Sequence, residues 1–346
     1  MHSSIEFGYF CYMKPITTPA GLMETVNTFR ISRLILSAFE LGVFDHLWGG
    51  CISSAELASK MGSDPRATNR LLNALHGTGL VRTEDGKFSN SDFSEKFLVS
   101  SSRSFMAGLG HSVGLWKNWS TLTDVIKVGH AAEEIEKNDI NSRGKEWLES
   151  FIATMHARGV SQGREMAGLL DLSGTQRTLD VGGGSGAFTF AFIEKNPAIT
   201  GVILDLPNVV PITRKYIGEA GFSSSVTTCQ GDYLHSGFGE GFDLVLMSAI
   251  IHINNPSENS LLIRKGADAL NRGGQLVIMD HVMNGERTEP FVGALFALNM
   301  LVGTKQGDTY TEKELRDWMQ DAGLSSIRLI TAESGMQMMV GIKDHS

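Results

Sequence analysis

Short apolar segments alternate with amphipathic stretches throughout the second half of the chain. Runs of four to eight apolar residues, bounded by glycine, proline or polar clusters, are typical of buried strands. The stretches between them repeat apolar positions at helical spacing, and this alternation predicts an α/β fold with a mainly parallel sheet. The predicted strands lie near residues 177–181, 201–205, 225–229, 242–248, 275–281, 326–331 and 336–342.

The first third of the chain has a different pattern, mostly helical with one hairpin. Residues 23–47 carry apolar positions at helical spacing, over a surface too wide for a lone surface helix. Ser53 and Glu56 form a capping-box sequence that starts a further helix. An Asp85-Gly86 pair between two short β-prone runs is a strong hairpin signal. Two helices followed by a hairpin predict a winged helix.

This winged helix lacks the basic face of a DNA-binding module. Its second helix offers only Arg66, Arg70 and His76 as basic groups, and a formal net charge of −8 disfavours nucleic acid as the main partner. The large apolar groups of the first helical stretch, such as Phe29, instead predict that the N-terminal regions of two copies pack together. We therefore expect a homodimer.

The composition of the chain restricts the class of protein and its cellular compartment. The chain has 346 residues, of which 42% are hydrophobic and 20% charged, as in ordinary globular proteins with two or three domains. No apolar run approaches the roughly 20 residues of a membrane span, and residues 1–14 lack a signal-peptide pattern. The three cysteines, Cys11, Cys51 and Cys229, have no metal-ligand spacing. We expect a cytoplasmic protein with no metal site and no membrane partner.

Residues 179–186, Leu-Asp-Val-Gly-Gly-Gly-Ser-Gly, are the most informative segment of the chain. A strand, a glycine turn and a helix place bare backbone and a helix N-terminus beside a ligand. Asp205 closes the next predicted strand and follows Gly186 by 19 residues. This spacing suits a carboxylate that accepts hydrogen bonds from ribose hydroxyls. The segment therefore predicts a ligand with an adenosine end.

The polar residues at later strand ends favour S-adenosylmethionine over a dinucleotide. Asp232 follows the third strand and His252 follows the fourth. Ligands of open α/β sheets lie outside the carboxyl ends of the strands, where a second acid can accept a hydrogen bond from an adenine amino group. An NAD(P) dehydrogenase is the alternative, but it requires a pyrophosphate turn and gives no reason for the Asp232 and His252 pair.

Five motifs together resemble the small-molecule O-methyltransferases of the caffeic acid and acetylserotonin type, especially bacterial members acting on natural products. The motifs occur in the family's order and spacing: Leu179–Gly186, Leu204-Asp205-Leu206-Pro207, Gly231-Asp232-Tyr233, Ile250-Ile251-His252, and Arg272-Gly273-Gly274 leading to Asp280. The resemblance implies a winged-helix dimerisation domain over residues 1–107 and a helical linker with substrate-pocket helices over 108–170. A Rossmann-like S-adenosylmethionine-dependent methyltransferase domain would follow over 171–346.

The resemblance also implies roles for individual residues. Gly182 would approach the methionine part of the cofactor, Asp205 would hold the ribose, and Asp232 and Tyr233 would flank the adenine. Ser248 stands where many plant members carry a lysine that contacts the adenine. His252 would be the general base and Asp280 the acid that orients it. The full cofactor set is Asp180, Gly182, Gly184, Asp205, Leu206, Asp232, Tyr233 and Ser248, and Met155, Asn299 and Met300 would line the acceptor pocket.

The chain departs from the family pattern near the base. Plant members continue His-Asp-Trp, whereas this chain reads His252-Ile253-Asn254. A second family glutamate falls near Thr309, where Asp308 is the adjacent acid. Strand alternation predicts that His281 points to the opposite face from Asp280.

The predicted activity is methyl transfer from S-adenosylmethionine to a hydroxyl of an aromatic or polyketide-like molecule. Such a transfer needs an aligned acceptor and a base, because the cofactor supplies the activated carbon. The alternatives left open are N- or C-methylation, a non-methylating user of the same cofactor, and a winged-helix transcriptional regulator.

Overall fold

The computed structural model of the protein describes residues 15–131 and 144–344. Two units can be distinguished in it, one up to Lys117 and one from Asn118 onward. The three-part division at residues 107 and 170 stays a prediction. A charged loop predicted over residues 131–141 lies, except for Ala131, outside the described residues.

Local sequence signals determine where the elements of the first unit begin and end. The apolar stretch over 23–47 is divided into three helices by breaks at Thr28 and at Gly42, which has a φ of +65°. The Ser53–Glu56 capping box is present and starts its helix as predicted. The elements are α1 Pro19–Asn27, α2 Phe29–Glu40, α3 Val43–His46, β1 Ile52–Ser53, α4 Ser54–Met61, α5 Pro65–Gly77, β2 Val81–Glu84, β3 Lys87–Asn90, α6 Asp92–Phe97 and α7 Gly108–Trp119, which crosses the boundary.

The helices α4 and α5 are followed by the β2–β3 hairpin, which is consistent with the predicted winged helix. Asp85 and Gly86 form the hairpin turn with φ values of +48° and +76°, as a tight two-residue loop requires. The strand β1 pairs with β3, so the small sheet has the order β1-β3-β2. A core of buried apolar side chains joins these elements to α2 and α3, and includes Phe44, Leu57 and Leu72.

The apolar surface of α1 and α2 is only partly used within the first unit. Leu36 is buried and Phe39 stacks on Phe105 with ring centroids 6.0 Å apart, whereas Phe29 stays exposed. Further exposed apolar side chains on these two helices are Leu22, Met23, Val26 and Ile31.

The second unit contains the predicted alternation of strands and helices. Each strand prediction is matched within a few residues, although β8 begins five residues earlier and ends two earlier than expected. The elements are α8 Leu122–Val128, α9 Lys145–Leu169, β4 Arg177–Val181, α10 Ala187–Lys195, β5 Thr200–Asp205, α11 Val210–Glu219, β6 Val226–Gln230, β7 Phe242–Ser248, a 3-10 turn Ile251–Ile253, α12 Pro256–Ala269, β8 Leu270–Met279, β9 Val282–Met283, α13 Phe291–Gly303, β10 Tyr310–Thr311, α14 Glu312–Asp321, β11 Leu324–Thr331 and β12 Gln337–Lys343.

The seven-stranded sheet of this unit has the order β11-β12-β8-β7-β4-β5-β6. The strands β4 to β8 in the sheet are parallel and β12 is antiparallel to both of its neighbours. Both faces are covered, because Leu244 and Leu246 belong to one buried apolar cluster and Val245 and Met247 to the other. The strand order reverses at β4, and ligands of such sheets bind outside the strand ends at that point. The predicted α/β class is therefore confirmed.

Among the helices of residues 15–131 and 144–344, none combines the length and the apolar character needed to cross a bilayer.

Candidate active site

The glycine turn lies where the sheet order reverses, between β4 and α10. Gly182, Gly184 and Gly186 have φ values of +68°, +56° and +83°, a region that other residues rarely adopt. A Cβ on Gly182 would also lie 2.9 Å from the Ile250 side chain. These positions therefore keep bare backbone at the strand ends, where a ligand can approach closely.

Asp205 ends β5 and its carboxylate lies beneath the glycine turn. Its Oδ2 accepts the backbone N–H of Gly184 at 2.7 Å, and its Oδ1 accepts that of Leu206 at 2.7 Å. Burial raises the pKa of Asp205, while the two backbone donors act in the opposite direction. Each oxygen of a carboxylate can accept more than one hydrogen bond, so the group retains acceptor capacity for hydroxyl donors.

Asp232 and Tyr233 follow the neighbouring strand β6. Asp232 accepts the Leu234 backbone N–H at 2.9 Å and pairs with His235 at 2.8 Å. Tyr233 is half-buried, and burial raises its pKa to about 12. The Lys265 ammonium on α12 donates to the Tyr233 carbonyl. Lys265 was missed by sequence reasoning, because a lone lysine on an amphipathic helix carries no signal.

Asp180 is enclosed beneath the same turn. Only 2% of it is exposed, its Oδ2 accepts the Thr189 hydroxyl at 2.9 Å, and its Oδ1 has no hydrogen-bond partner within the described chain. Burial raises the pKa of Asp180 to about 7, with a further contribution from the Asp205 charge. An orphaned carboxylate oxygen under a ligand-binding turn points to a cationic or hydrogen-bonding group that the turn would receive.

His252 and Asp280 are brought together by the ends of β7 and β8. Both Asp280 oxygens lie 2.9 Å from Nδ1 of His252, and the two side chains are 11% and 3% exposed. Burial works against ionisation of Asp280, but the His252 charge and hydrogen bond and the nearby His281 bring its pKa below the usual range. A carboxylate only accepts, so Nδ1 carries the proton and Nε2 of a neutral ring is an acceptor.

Asn254 links the base turn to the residues after β6. Its Oδ1 accepts the Tyr233 hydroxyl at 3.1 Å and its Nδ2 donates to the Ile250 carbonyl at 3.1 Å. Its own carbonyl accepts the Tyr310 hydroxyl at 2.5 Å. The departure from the plant sequence His-Asp-Trp therefore supplies a buried amide that connects Tyr233 with the Ile250 carbonyl, a role that the sequence alone did not indicate.

Asp308 does not contact the His252 ring. Its carboxylate pairs with Arg287 at 3.2 Å, while its backbone N–H donates to the His252 carbonyl at 3.0 Å. Thr309 is buried and its carbonyl accepts from Arg287. Arg287 also pairs with Glu314 at 2.6 Å. The segment that carries a second glutamate in the family thus holds the base turn through backbone atoms here.

The predicted orientation of His281 is wrong. Strand β8 ends at Met279, so strand alternation no longer applies at Asp280 and His281. The ring of Phe296 lies 4.5 Å from that of His281 and 4.8 Å from that of His252, measured between centroids. Burial lowers the pKa of His281. Phe296 was missed by sequence reasoning, because one more apolar residue in an apolar helix gives no signal.

The residues predicted for the acceptor pocket lie on two helices of the second unit. Asn299 and Met300 are on α13, one turn after Phe296, and Asn299 accepts the Trp119 indole N–H at 2.9 Å. Met155 is half-buried on α9. The next residue, His156, has its Nδ1 2.9 Å from the Ser185 hydroxyl in the glycine turn. Ser248 is half-buried at the end of β7.

This set of residues fits an S-adenosyl ligand. The carboxylate oxygens of Asp205, at the end of β5, can accept further hydrogen bonds. Asp232 follows the neighbouring strand β6. Two acids at adjacent strand ends suit a ribose and an adenine that lie side by side. The positive-φ glycines and the orphaned oxygen of Asp180 lie at the adjacent end of β4.

Comparison with known proteins gives two family matches. Residues 120–325, more than half of the chain, match the O-methyltransferase domain. Residues 23–100 match the O-methyltransferase dimerisation domain. The dimerisation domain thus precedes the methyltransferase domain along the chain, as the resemblance implied.

Relatives of known activity are similar over most of the chain. The 3-hydroxy-5-methyl-1-naphthoate 3-O-methyltransferase of Streptomyces sahachiroi is 30% identical over 90% of this chain and 91% of its own length. An L-tyrosine C(3)-methyltransferase of Streptomyces lavendulae is 28% identical over 75% of this chain and 74% of its own.

A solved structure supports the fold. The structure of PigF with SAH superimposes with a TM-score of 0.83 at 22% identity, over 94% of this chain and all of that one. Together with the two matched domains and the 30% identical relative, this likeness confirms the resemblance, and the chain belongs to the S-adenosylmethionine-dependent O-methyltransferase family.

Proposed function

We propose that the protein methylates a hydroxyl of an aromatic or polyketide-like small molecule, with His252 as the general base and Asp280 as the residue that orients it. The observation that carries this proposal is the buried pair in which both Asp280 oxygens hold Nδ1 of His252. The hydroxynaphthoate acceptor in the name of the Streptomyces sahachiroi relative supports an aromatic acceptor.

Bound S-adenosylmethionine supplies an electrophilic methyl group. In the proposed pose Asp205 accepts the ribose hydroxyls, Asp232 and Tyr233 flank the adenine with Ser248 nearby, and Leu206 supports Asp205 through its backbone. Asp180, Gly182 and Gly184 receive the methionine end of the cofactor. Met155, Asn299 and Met300 line the acceptor pocket.

His252 takes the proton of the acceptor hydroxyl on Nε2 while the acceptor oxygen gains the methyl group. Phenols titrate near pH 10, so a phenolic acceptor is still protonated at pH 7 and its methylation is assisted by a base that takes the proton. Asp280 fixes the tautomer through Nδ1 and stabilises the imidazolium that forms. The bond from the methyl carbon to the sulfonium would break as the bond to the acceptor oxygen forms, so S-adenosylhomocysteine would leave and the proton would stay on Nε2 of His252.

Transfer of a ¹³C-labelled methyl group to a panel of hydroxynaphthoates and polyketide phenols tests this proposal. Carbon NMR of the products distinguishes a methyl ether from a methyl group on carbon or nitrogen. We expect a methyl ether, and no transfer to matched acceptors whose hydroxyl is already blocked. A label found on ring carbon would contradict the O-methylation proposal and favour the chemistry named for the tyrosine C-methyltransferase relative.

We further propose that two copies associate through the matched dimerisation domain, residues 23–100. The exposed apolar side chains of α1 and α2 support this assembly, because contiguous exposed apolar surface marks a protein interface.

A further inference from the structure

We infer that Phe296 is a positioning residue that fixes the plane of the His252 ring, with His281 packed against the same phenyl ring. This inference rests on the proposed role of His252 as the base. The observation behind it is that one phenyl ring contacts both imidazoles, at 4.8 Å from His252 and 4.5 Å from His281.

Asp280 alone does not determine the ring plane. Its two oxygens both contact the same atom, Nδ1, at 2.9 Å, so they anchor that atom and leave rotation of the ring around it less restrained. The Phe296 ring stands perpendicular to the His252 ring, at an interplanar angle of 89°, which is a favoured geometry for aromatic pairs. A second contact away from Nδ1 restricts the direction in which Nε2 points.

Two features restrain Phe296 itself. Its ring packs against His281 at an angle of 43°. Gly293 lies one turn earlier on α13, where a Cβ would collide with the Met283 sulfur and lie 3.6 Å from the His281 Cβ. The helix therefore approaches β9 closely at this turn, and residues three apart share a helix face. Phe296 consequently contacts both imidazoles from a helix segment with little freedom to shift.

His281 contacts the site in two ways, through its backbone N–H and through its side chain. Its N–H donates to Asp280 Oδ1 at 2.8 Å, and this hydrogen bond survives any substitution of the side chain except proline. An effect of His281→Ala on the base therefore does not arise from loss of the backbone donor to Asp280.

The test compares Phe296→Leu with Phe296→Tyr, which keeps the ring, and with Phe291→Leu, which removes an exposed phenyl ring from the same helix. Proton NMR of ¹⁵N-histidine-labelled protein in the absence of acceptor reports the hydrogen-bonded Nδ1–H of His252. We expect this signal to broaden in Phe296→Leu and to remain in the other two variants. His281→Ala should give a smaller change in the same direction.

Kinetics with the acceptor that the wild type methylates give the second readout. A misplaced reacting group costs about 10- to 10²-fold in rate, so kcat of Phe296→Leu should fall by this factor with little change in KM, and Phe296→Tyr should recover most of it. An unchanged Nδ1–H signal together with a raised KM would overturn the inference and make Phe296 only a wall of the acceptor pocket.

Failure of the proposed function can be distinguished from failure of the positioning role of Phe296. If His252→Gln keeps full activity, the base assignment falls and the positioning role falls with it. If the wild type transfers no methyl group to oxygen, the NMR comparison still decides whether Phe296 orders the His252 ring. Binding of S-adenosylhomocysteine by each variant shows that the fold is intact.

Discussion

The proton on Nδ1 of His252 leaves Nε2 as the atom available for an acceptor hydroxyl. General-base catalysis contributes about 10²–10⁴-fold, so His252→Ala should lower kcat by this order. S-adenosylmethionine affinity, measured by calorimetry, should stay near that of the wild type, because the cofactor acids lie on β5 and β6. Raising the pH should partly restore the rate, since a phenol ionises without help near its own pKa.

Asp205 should matter for the cofactor and little for the chemistry. Hydrogen bonds to a charged group are worth roughly 1.5–3 kcal/mol each, so Asp205→Ala should weaken S-adenosylmethionine binding at least about tenfold. Asp321→Ala, which removes an exposed carboxylate at the end of α14, is the control. Equal affinities of the two variants in calorimetry, with unchanged circular dichroism, would reject the ribose assignment.

Asp180 makes the stability of the protein depend on pH in a predictable direction. Burial raises its pKa to about 7, above the value of about 3.9 for an exposed aspartate, so the folded state binds the proton more tightly than the unfolded state. Its contribution is therefore fully present below about pH 4 and is lost as the pH rises through 7. Between pH 5 and pH 8, Asp180→Asn should gain stability relative to the wild type, by up to about 3 kcal/mol.

Urea unfolding of both proteins at the two pH values measures this difference directly. All other titrating groups are shared, so their contributions cancel in the comparison. A stability difference that is the same at pH 5 and pH 8 would show that Asp180 titrates at its ordinary value.

At the scale of elements, the segment before β10 supports the base through its backbone. A Cβ on Gly307 would collide with the His252 carbonyl and with the Thr304 hydroxyl. Gly307→Ala should therefore displace the base turn and lower kcat by roughly tenfold or more. Gly303→Ala on α13 is the control, because its Cβ would meet only Asn118 at an ordinary 3.6 Å. The kcat values of the two variants should differ clearly.

Element boundaries were predictable where one local interaction determines them. The capping box at Ser53 and the Asp85-Gly86 turn depend on neighbouring residues alone, so the sequence predicts them well. His281 was predicted wrongly because the end of β8 depends on its pairing with β7 and β12. One extra residue of strand reverses the face assigned to a side chain.

The residues of the candidate site also divide into those that a local pattern predicts and those that depend on tertiary packing. Asp205, Asp232, His252 and Asp280 stand at strand ends and could be predicted from spacing and resemblance. The groups that support them come from distant helices and loops, and their roles follow from packing that no local pattern encodes. Lys265, Phe296 and Arg287 are examples.

At the scale of the whole molecule, the exposed side chains of α1 and α2 predict the assembly state. Light scattering at micromolar concentration should give a dimer mass. The double variant Val26→Glu, Phe29→Glu should give a monomer, because both side chains are about half exposed and a buried unpaired charge is costly at an interface. Leu261→Glu, an exposed apolar position on α12, should remain dimeric. A monomeric wild type would count against the proposed homodimer.

The side-chain hydrogen bonds of Asn254 bear on how this enzyme could acquire new acceptors. One amide serves both the residue beside the cofactor acid and the turn that carries the base, so a change at this position alters both at once and few substitutions there can be neutral. Asn299 on α13, by contrast, is predicted to line the acceptor pocket and accepts one hydrogen bond from Trp119. A directed-evolution library for altered acceptor scope should therefore vary the acceptor-pocket positions of α13 and α9 and leave Asn254 and Phe296 untouched, and natural divergence among relatives would be expected to follow the same route.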